Sequence, residues 1–511
     1  GDVDITLTDS ELTLGAEEAT DLDSIEAVQL TGGASGNSID ASGFSGSVTV
    51  VAGDGVDTIF TGSGDDAITA GTGADSVSAG AGDDTITGGA GDDTLSGQAG
   101  DDTYVFADGW GTDTVTEEEG SWNGADTLDF STVTTNLTIT VTDVGNVTVT
   151  DGSNTVTASN IEHIIAGTGT NTLSYAGYAE SVYVDLGNGD AEGLFSVSNI
   201  QNLIGSAYDD TLIGNSLANV IQGGAGNDRI DGGGGVDDLR GEDGTGDTLA
   251  VEQDADITLT DTTVSVGGII SSLSGFESAS LTGGASANTI NASAFTGTLG
   301  VTIDSGDGND SITGTGAADR ITGGAGIDTI DGGFGTDTIV EVRDSDFTLS
   351  STGHVARSGS YLLTAIVTIG SEGQDNLTGI EQAEFTGGDG DNHIDASNFT
   401  GDGLAPVGSV TLDGGGGNDI LEGGSGDDFL TGGAGVDVLI GHAGTDTVVE
   451  AADSKFIATD TELDMGEGTD ERVEIRLGSS AKVDTAGTFT LSFDDGSGTD
   501  TTVALAHDIS A

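Results

Sequence analysis

The sequence predicts an all-β protein, a parallel β-solenoid built from tandem modules, and three observations point to it. A nine-residue repeat, Gly-Gly-x-Gly-x-Asp-x-U-x with U a large apolar residue, runs without a gap from Ala52 to Val105 in six copies. Runs of four more copies begin at 205, 305 and 414. Between the runs the chain alternates apolar and polar residues, as in NLTITVTD at 136–143, the pattern of a strand with one buried face. No stretch sustains a helical period with a capping signal.

Each part of the repeat has a structural reason. Glycine reaches positive φ without steric cost and so permits a tight turn. The x-U-x triplet is a short strand whose central side chain points to one face. The U places are Ile59, Ile68, Val77, Ile86, Leu95 and Tyr104 in the first run, and leucine, isoleucine or valine in the later ones. A unit of nine residues cannot bury its own apolar residue, so it must stack on neighbours.

The sixth place carries Asp in seventeen of the eighteen copies, Asn219 being the exception. These residues are Asp57, Asp66, Asp75, Asp84, Asp93 and Asp102, then Asp210, Asp228 and Asp237, then Asp310, Asp319, Asp328 and Asp337, then Asp419, Asp428, Asp437 and Asp446. Stacking aligns their charges along an edge, where they repel. Carboxylate and free Gly-loop carbonyl oxygens are the donors hard divalent cations prefer, and Ca²⁺ accepts six to eight of them in flexible geometry. Multiple Ca²⁺ ions are therefore the expected cofactor.

The nonapeptides resemble those of the repeats-in-toxin (RTX) family of secreted bacterial proteins. That resemblance implies a right-handed β-roll with two nonapeptides per turn and ions held between loops a full turn apart, with the seventeen aspartates as ligands. It also implies an extracellular location and type I secretion, with an uncleaved signal near the C-terminus. Three departures weaken individual sites: GNSLANVIQ at 214–222 lacks the third Gly and the Asp, and Gln98 and His442 replace the second Gly.

Composition narrows the function classes. With 88 acidic residues against nine basic ones the formal charge is -79, and no Lys or Arg precedes Arg229. Phosphate neutralisation needs a basic surface, so nucleic acid is excluded as a partner. There is no Cys, hence no disulfide, and no apolar run long enough to span a membrane as a helix. The chain opens on Gly1, as a mature product or an excised segment would.

A longer repeat lies between the runs. DITLT at 4–8, DITLT at 256–260 and DFTLS at 346–350 lead to SIEAVQLTGGASGNSIDASGF at 24–44, GFESASLTGGASANTINASAF at 275–295 and GIEQAEFTGGDGDNHIDASNF at 379–399. A divergent version spans Asn160 to Tyr178. The expected modules, each a strand-rich segment followed by a calcium roll, are 1–113, 114–249, 250–342 and 343–450, with a β-rich secretion or capping region at 451–511. One long solenoid is favoured over discrete β-sandwiches joined by rolls.

No H-E-x-x-H, no nucleophile elbow and no clustered histidines occur, so the chain reads as non-catalytic. His393 stands where the internal repeat has Ser38 and Thr289 and reads as a surface variant. Trp110 and Trp122, just past the longest roll, read as a cap on its open apolar end rather than a sugar platform. The function expected is a rigid extracellular scaffold, surface layer or matrix. The alternatives are an adhesin stalk or an accessory module of a type I secreted enzyme. Partners beyond calcium are a second copy of the chain or calcium-bridged cell-surface glycans.

Overall fold

The eighth residue of each nonapeptide is the centre of a short strand. Ile68, Ile86 and Tyr104 stand in Ala67–Thr72, Thr85–Ala90 and Thr103–Val105, while Ile59, Val77 and Leu95 stand in Thr58–Phe60, Ser76–Ala81 and Thr94–Ala99. The two sets belong to two different parallel sheets, with Ile68, Ile86 and Tyr104 in one register row and Ile59, Val77 and Leu95 in the other. Successive copies thus alternate between sheets, and one turn consumes two nonapeptides, as the resemblance implies. The six apolar side chains face inward and are at most 3 % exposed. Main-chain bonds tie each turn to the one before it, as in Thr85 N–H to Asp66 O and Thr94 N–H to Asp75 O, both 2.8 Å.

The computed structural model describes residues 3–117, 124–357, 360–371, 373–400, 408–435 and 437–450, and the short stretches 457–458, 476–477, 488–493 and 501–506. Among the described residues every regular element is a strand. Trp122, Pro406 and most of the C-terminal region lie outside them; within that region Thr488–Phe493 pairs antiparallel with Thr501–Ala506.

The chain forms two compact units, one of Gly1–Leu249 with Ser271–Phe276 and one of Ala250–Ile270 with Glu277–Ala511. Inside each unit the described strand-rich segments between Ile5 and Asp413 extend the sheets of the rolls. In the first unit Thr94–Ala99 pairs with Thr112–Thr116, which pairs with Thr155–Ser159, all parallel. Thr103–Val105 continues likewise through Thr127–Asp129, His163–Ile165 and Ser196–Ser198. In the second unit Ser278–Gly284, Val301–Gly306, Arg320–Thr322, Thr338–Val342, Gln382–Thr386 and Ser409–Asp413 follow one another in parallel register. The longer repeat adds antiparallel excursions: Ile5–Thr8 with Glu11–Leu14, Ile257–Thr260 with Thr263–Val266, and Phe347–Arg357 with Ser360–Ile369.

Trp110 departs from the expectation. It is buried to 1 % exposure, edge-on to Phe106 and Phe130, whose rings stack 4.6 Å apart. The sheets run on past it, so it fills the interior and caps no open end.

In the close-stacked turns of the first run two glycines, at the second and fourth places, meet the backbone of the turn before. Gly89 and Gly91 have φ of 110° and 142°, and a Cβ on them would lie 1.9 Å from Gly71 O and 1.5 Å from Gly73 O. Gly91→Ala is therefore expected to lower the thermal stability of the calcium-loaded protein by about 3 kcal/mol or more. Gly109→Ala, at φ 87° with nothing within 4 Å, should cost only about 1–2 kcal/mol of backbone strain. Equal melting shifts for the two variants would show that the turns are not stacked this closely.

Candidate metal sites

The sixth residue follows the Gly-rich turn, and its side chain folds back beneath the loop. There one carboxylate oxygen, Oδ1, accepts the main-chain N–H of the residue one turn earlier. In the first run Asp57 N–H donates to Asp75, Asp66 to Asp84, Asp75 to Asp93 and Asp84 to Asp102, at 2.7–2.8 Å and a separation of 18 residues. Asp57 and Asp66 receive Asn37 N–H and Val48 N–H, both at 2.6 Å. The later runs repeat the pattern. Asp210, Asp228 and Asp237 accept from Val182, Asp210 and Asn219. Asp310, Asp319, Asp328 and Asp337 accept from Asn288, Val301, Asp310 and Asp319. Asp419, Asp428, Asp437 and Asp446 accept from Asn392, Val410, Asp419 and Asp428. All seventeen predicted residues thus take the same place, and all except Asp446 are buried.

Where the first place of the copy is glycine, the other oxygen, Oδ2, occupies the space that glycine leaves; Ala52, Thr61, Ala70, Ala79 and Ser305 stand there in the other copies. A Cβ on Gly88, Gly97 or Gly414 would lie 2.4, 2.0 and 2.4 Å from Oδ2 of Asp93, Asp102 and Asp419. For Asp57, Asp75, Asp84, Asp93, Asp102, Asp113, Asp228, Asp328, Asp337 and Asp419 this buried oxygen has no hydrogen-bond partner. A buried carboxylate oxygen without a partner is costly. Burial accordingly pushes the carboxyls of Asp75, Asp102 and Asp419 up to about 6, of Asp84, Asp113, Asp228 and Asp328 to about 7, and of Asp337 to about 8. Like charges one turn away add to it, Asp93 and Asp57 acting on Asp75.

The donor set fits a hard cation. Carboxylate oxygens and Gly-loop carbonyls are present, while thiolates are absent from the chain and the repeats' loop carboxylates have no imidazole at their place. Among the described residues no three acidic or histidine side chains converge on one point. Successive carboxylates of an edge stand a full turn apart, so main-chain carbonyls have to supply most of a coordination shell.

The rows extend beyond the seventeen. Asp113, Asp126, Asp247 and Asp375 accept from Asp93, Asp102, Asp228 and Asp328, and Glu162 and Glu381 accept from Asp126 and Asp337. Asn37, Asn171, Asn288 and Asn392 take the same place in the longer repeat. The signal was present: GGASGNSID, GGASANTIN and GGDGDNHID are nonapeptides with Asn sixth. A second, exposed row stands at the fifth place, where Asp83 N–H donates to Asp65 and Asp101 N–H to Asp83, in the opposite direction along the stack.

Two buried glutamates close rolls. Glu117 receives Gly97 and Gln98 N–H, and Glu341 receives Gly323 and Gly324 N–H; burial pushes them up to about 7 and about 8. Gln98 and His442 keep the positive φ of the glycine they replace, at 76° and 66°. His393 is surface-exposed as expected, but not idle: its Nε2 and that of His442 each lie 3.2 Å from one oxygen of Glu422.

Fold and site together define a parallel β-solenoid with rows of inward, incompletely bonded carboxylates. A family model described as the RTX calcium-binding nonapeptide repeat (4 copies) matches residues 31–68, 42–77, 69–104, 78–115, 213–246, 303–339 and 413–448. The chain carries RTX calcium-binding nonapeptide repeats in multiple copies. No curated protein matches it.

The raised carboxyls fix a pH dependence for the metal-free protein. Their folded-state values of about 6–8 lie above the ordinary 3.8, so the folded rolls hold protons that the unfolded chain has released. Metal-free folding is therefore disfavoured above pH 8 and recovers as pH falls from 8 towards 4. Circular dichroism in excess chelator should show more β-structure at pH 4.5 than at pH 8; the reverse order would refute buried carboxylates as the obstacle.

Proposed function

We propose that the chain is a secreted, calcium-rigidified structural protein, an extracellular scaffold or matrix element in which the ion rows are the stiffening device. The observation that carries this reading is the recurrence of one carboxylate geometry through all four runs, with the unpartnered Oδ2 present in each. The ligands of each ion are Oδ2 of the inward aspartate with carbonyls of the glycine loops above and below. Bound there, the cation supplies the positive charge that buried oxygens and like-charged neighbours lack.

Support for an extracellular setting comes from the same chemistry. Calcium sites of extracellular modules work at roughly 10⁻⁴–10⁻³ M, well above cytosolic levels. A chain of charge -79 without the ion repels itself and stays open, which suits export before folding. The four strand-plus-roll modules would then fold outside the cell. Parallel strand edges at the ends of a solenoid invite pairing with a second copy, opposed by the residual charge. Assembly should therefore need more calcium than folding does.

One calcium titration of the intact protein, followed by circular dichroism and light scattering, tests the proposal. Folding of the rolls is expected first and association at higher calcium; the full β-signal of the calcium-loaded protein retained in excess chelator at pH 8 would overturn it. A folded protein that stays monomeric at several millimolar calcium would favour the adhesin-stalk or accessory-module reading. Within the titration, Asp84→Ala should raise the folding midpoint more than Asp446→Ala. Asp84 is bonded within a row that continues on both sides through Asp66 and Asp102, whereas Asp446 is the last of its run.

A further inference from the structure

Not every sixth residue makes the same demand on a cation, and the difference lies in one atom. At Asn37, Asn171, Asn219, Asn288 and Asn392 one carboxylate oxygen is replaced by an amide Nδ2, which donates a hydrogen bond to a protein oxygen; at Asn37, Asn219, Asn288 and Asn392 the remaining oxygen, Oδ1, lies against the first glycine of the copy, where aspartate has Oδ2. Asn171 donates to Gly167 O and Asn199 O, both 2.8 Å, and Asn219 to Gln201 O at 2.7 Å. Asn288 and Asn392 donate to Oδ1 of Asp254 and Asp344 at 3.3 and 3.2 Å, and Asn37 to Val3 O at 3.4 Å.

The orientation of each amide is fixed by its other end. Oδ1 accepts Gly33 N–H at Asn37, Leu137 N–H at Asn171, Asn215 N–H at Asn219, Gly284 N–H at Asn288 and Gly388 N–H at Asn392. A flip would set donor against donor on one side and acceptor against acceptor on the other. An Nδ2 held this way cannot ligate a cation, and the turn does not need one. Its polar atoms are satisfied and it carries no charge.

Three of these turns are further bound to the strand-rich segments by carboxylates that have partners. Asp4, Asp256 and Asp346 accept the N–H of Ser38, Thr289 and His393 at 2.7–3.0 Å. The strands they begin pair in parallel with the strands of the asparagine turns. The outward N–H of Asn37, Asn288 and Asn392 then donates to Asp57, Asp310 and Asp419, the first carboxylate of the following roll.

We infer that the asparagine turns are metal-independent platforms, folded with their strand-rich segments before calcium arrives, on which the calcium-dependent rolls are built turn by turn. This rests on the calcium reading of the aspartate rows. It implies that calcium removal melts the rolls but leaves the platforms, so the protein breathes between two partly folded states and does not unfold as a whole.

Hydrogen exchange of the full-length protein, resolved by peptide, tests it. In excess chelator at pH 8, peptides covering 33–43, 289–294 and 393–398 should stay protected while those covering 76–105, 311–331 and 420–440 exchange freely, and calcium should protect the latter. If platform and roll peptides gain protection together at one calcium concentration, the inference is overturned while the calcium reading stands. If calcium changes neither set, the calcium reading itself is wrong. Asn219→Asp supplies a second arm: a carboxylate oxygen facing Gln201 O should cut protection of 220–225 in chelator by roughly tenfold to a hundredfold, the penalty of one unsatisfied buried oxygen, with recovery in calcium. Unchanged protection in that variant would also overturn the inference.

Discussion

The whole structure depends on a carboxylate whose two oxygens have different fates. One is committed to the main chain a turn earlier, as Asp75 N–H to Asp93, and this bond fixes the stacking register as firmly as the strand ladders do. The other is turned into the interior, and in most copies it lies against a glycine at the first place of its own loop. The first consequence is the glycine itself, since any side chain at Gly97 would occupy the position of Asp102 Oδ2. The second is electrostatic. Neighbouring strands of a sheet are about 4.8 Å apart, so a row of such groups sets like charges at close range in a desolvated place. The fold therefore generates the demand for positive charge at the same atoms that generate the fold.

The sequence period carried most of this. Strict spacing put Ile86 and Leu95 in the core and the seventeen aspartates on the loop edges, because a repeat that stacks must give equivalent residues equivalent places. What the period hid was its own continuation. Asn37 sits in a full nonapeptide frame, but with serine in the fourth place and an amide in the sixth it reads as part of the longer repeat. Glu162 and Glu381 reach the row with a longer side chain from positions that break the nine-residue count. The antiparallel excursions were hidden for a different reason: alternation predicts a strand without telling whether its neighbour is the previous turn or a hairpin partner. Trp110 was misplaced as a cap although GTDTV at 111–115 repeats the strand of the roll and carries the stack past it.

The tolerated departures show which features the turn requires. Gln98, Glu242 and His442 hold φ of 66–76° where a glycine usually stands. Non-glycine residues in that region cost on the order of 1–2 kcal/mol, and here the stack imposes the conformation regardless. Glu117 and Glu341 mark the opposite case. At the end of a roll, where no further glycine loop follows, the main-chain donors of the last loop are left over, and a buried glutamate receives them. Both substitutions preserve main-chain bonding, and neither preserves the glycine.

A rung of this stack can be completed in three ways without moving the backbone. At Asp84 and Asp328 the second oxygen is unpartnered. At Asp210 and Asp319 a serine or threonine at the second place donates to the carboxylate, Ser206 Oγ and Thr315 Oγ1 both at 2.8 Å. At Asn219 an amide replaces the carboxylate altogether. A carboxylate with an unpartnered oxygen, a carboxylate that receives a hydroxyl and a main-chain N–H, and a neutral amide form a series of falling demand for external positive charge, set by one or two side chains. Because the loop path and the strand register stay the same across the series, the shape of the solenoid and its need for a cation are separable properties. Strand register comes from the period, and the response to metal comes from which of the three chemistries each turn carries.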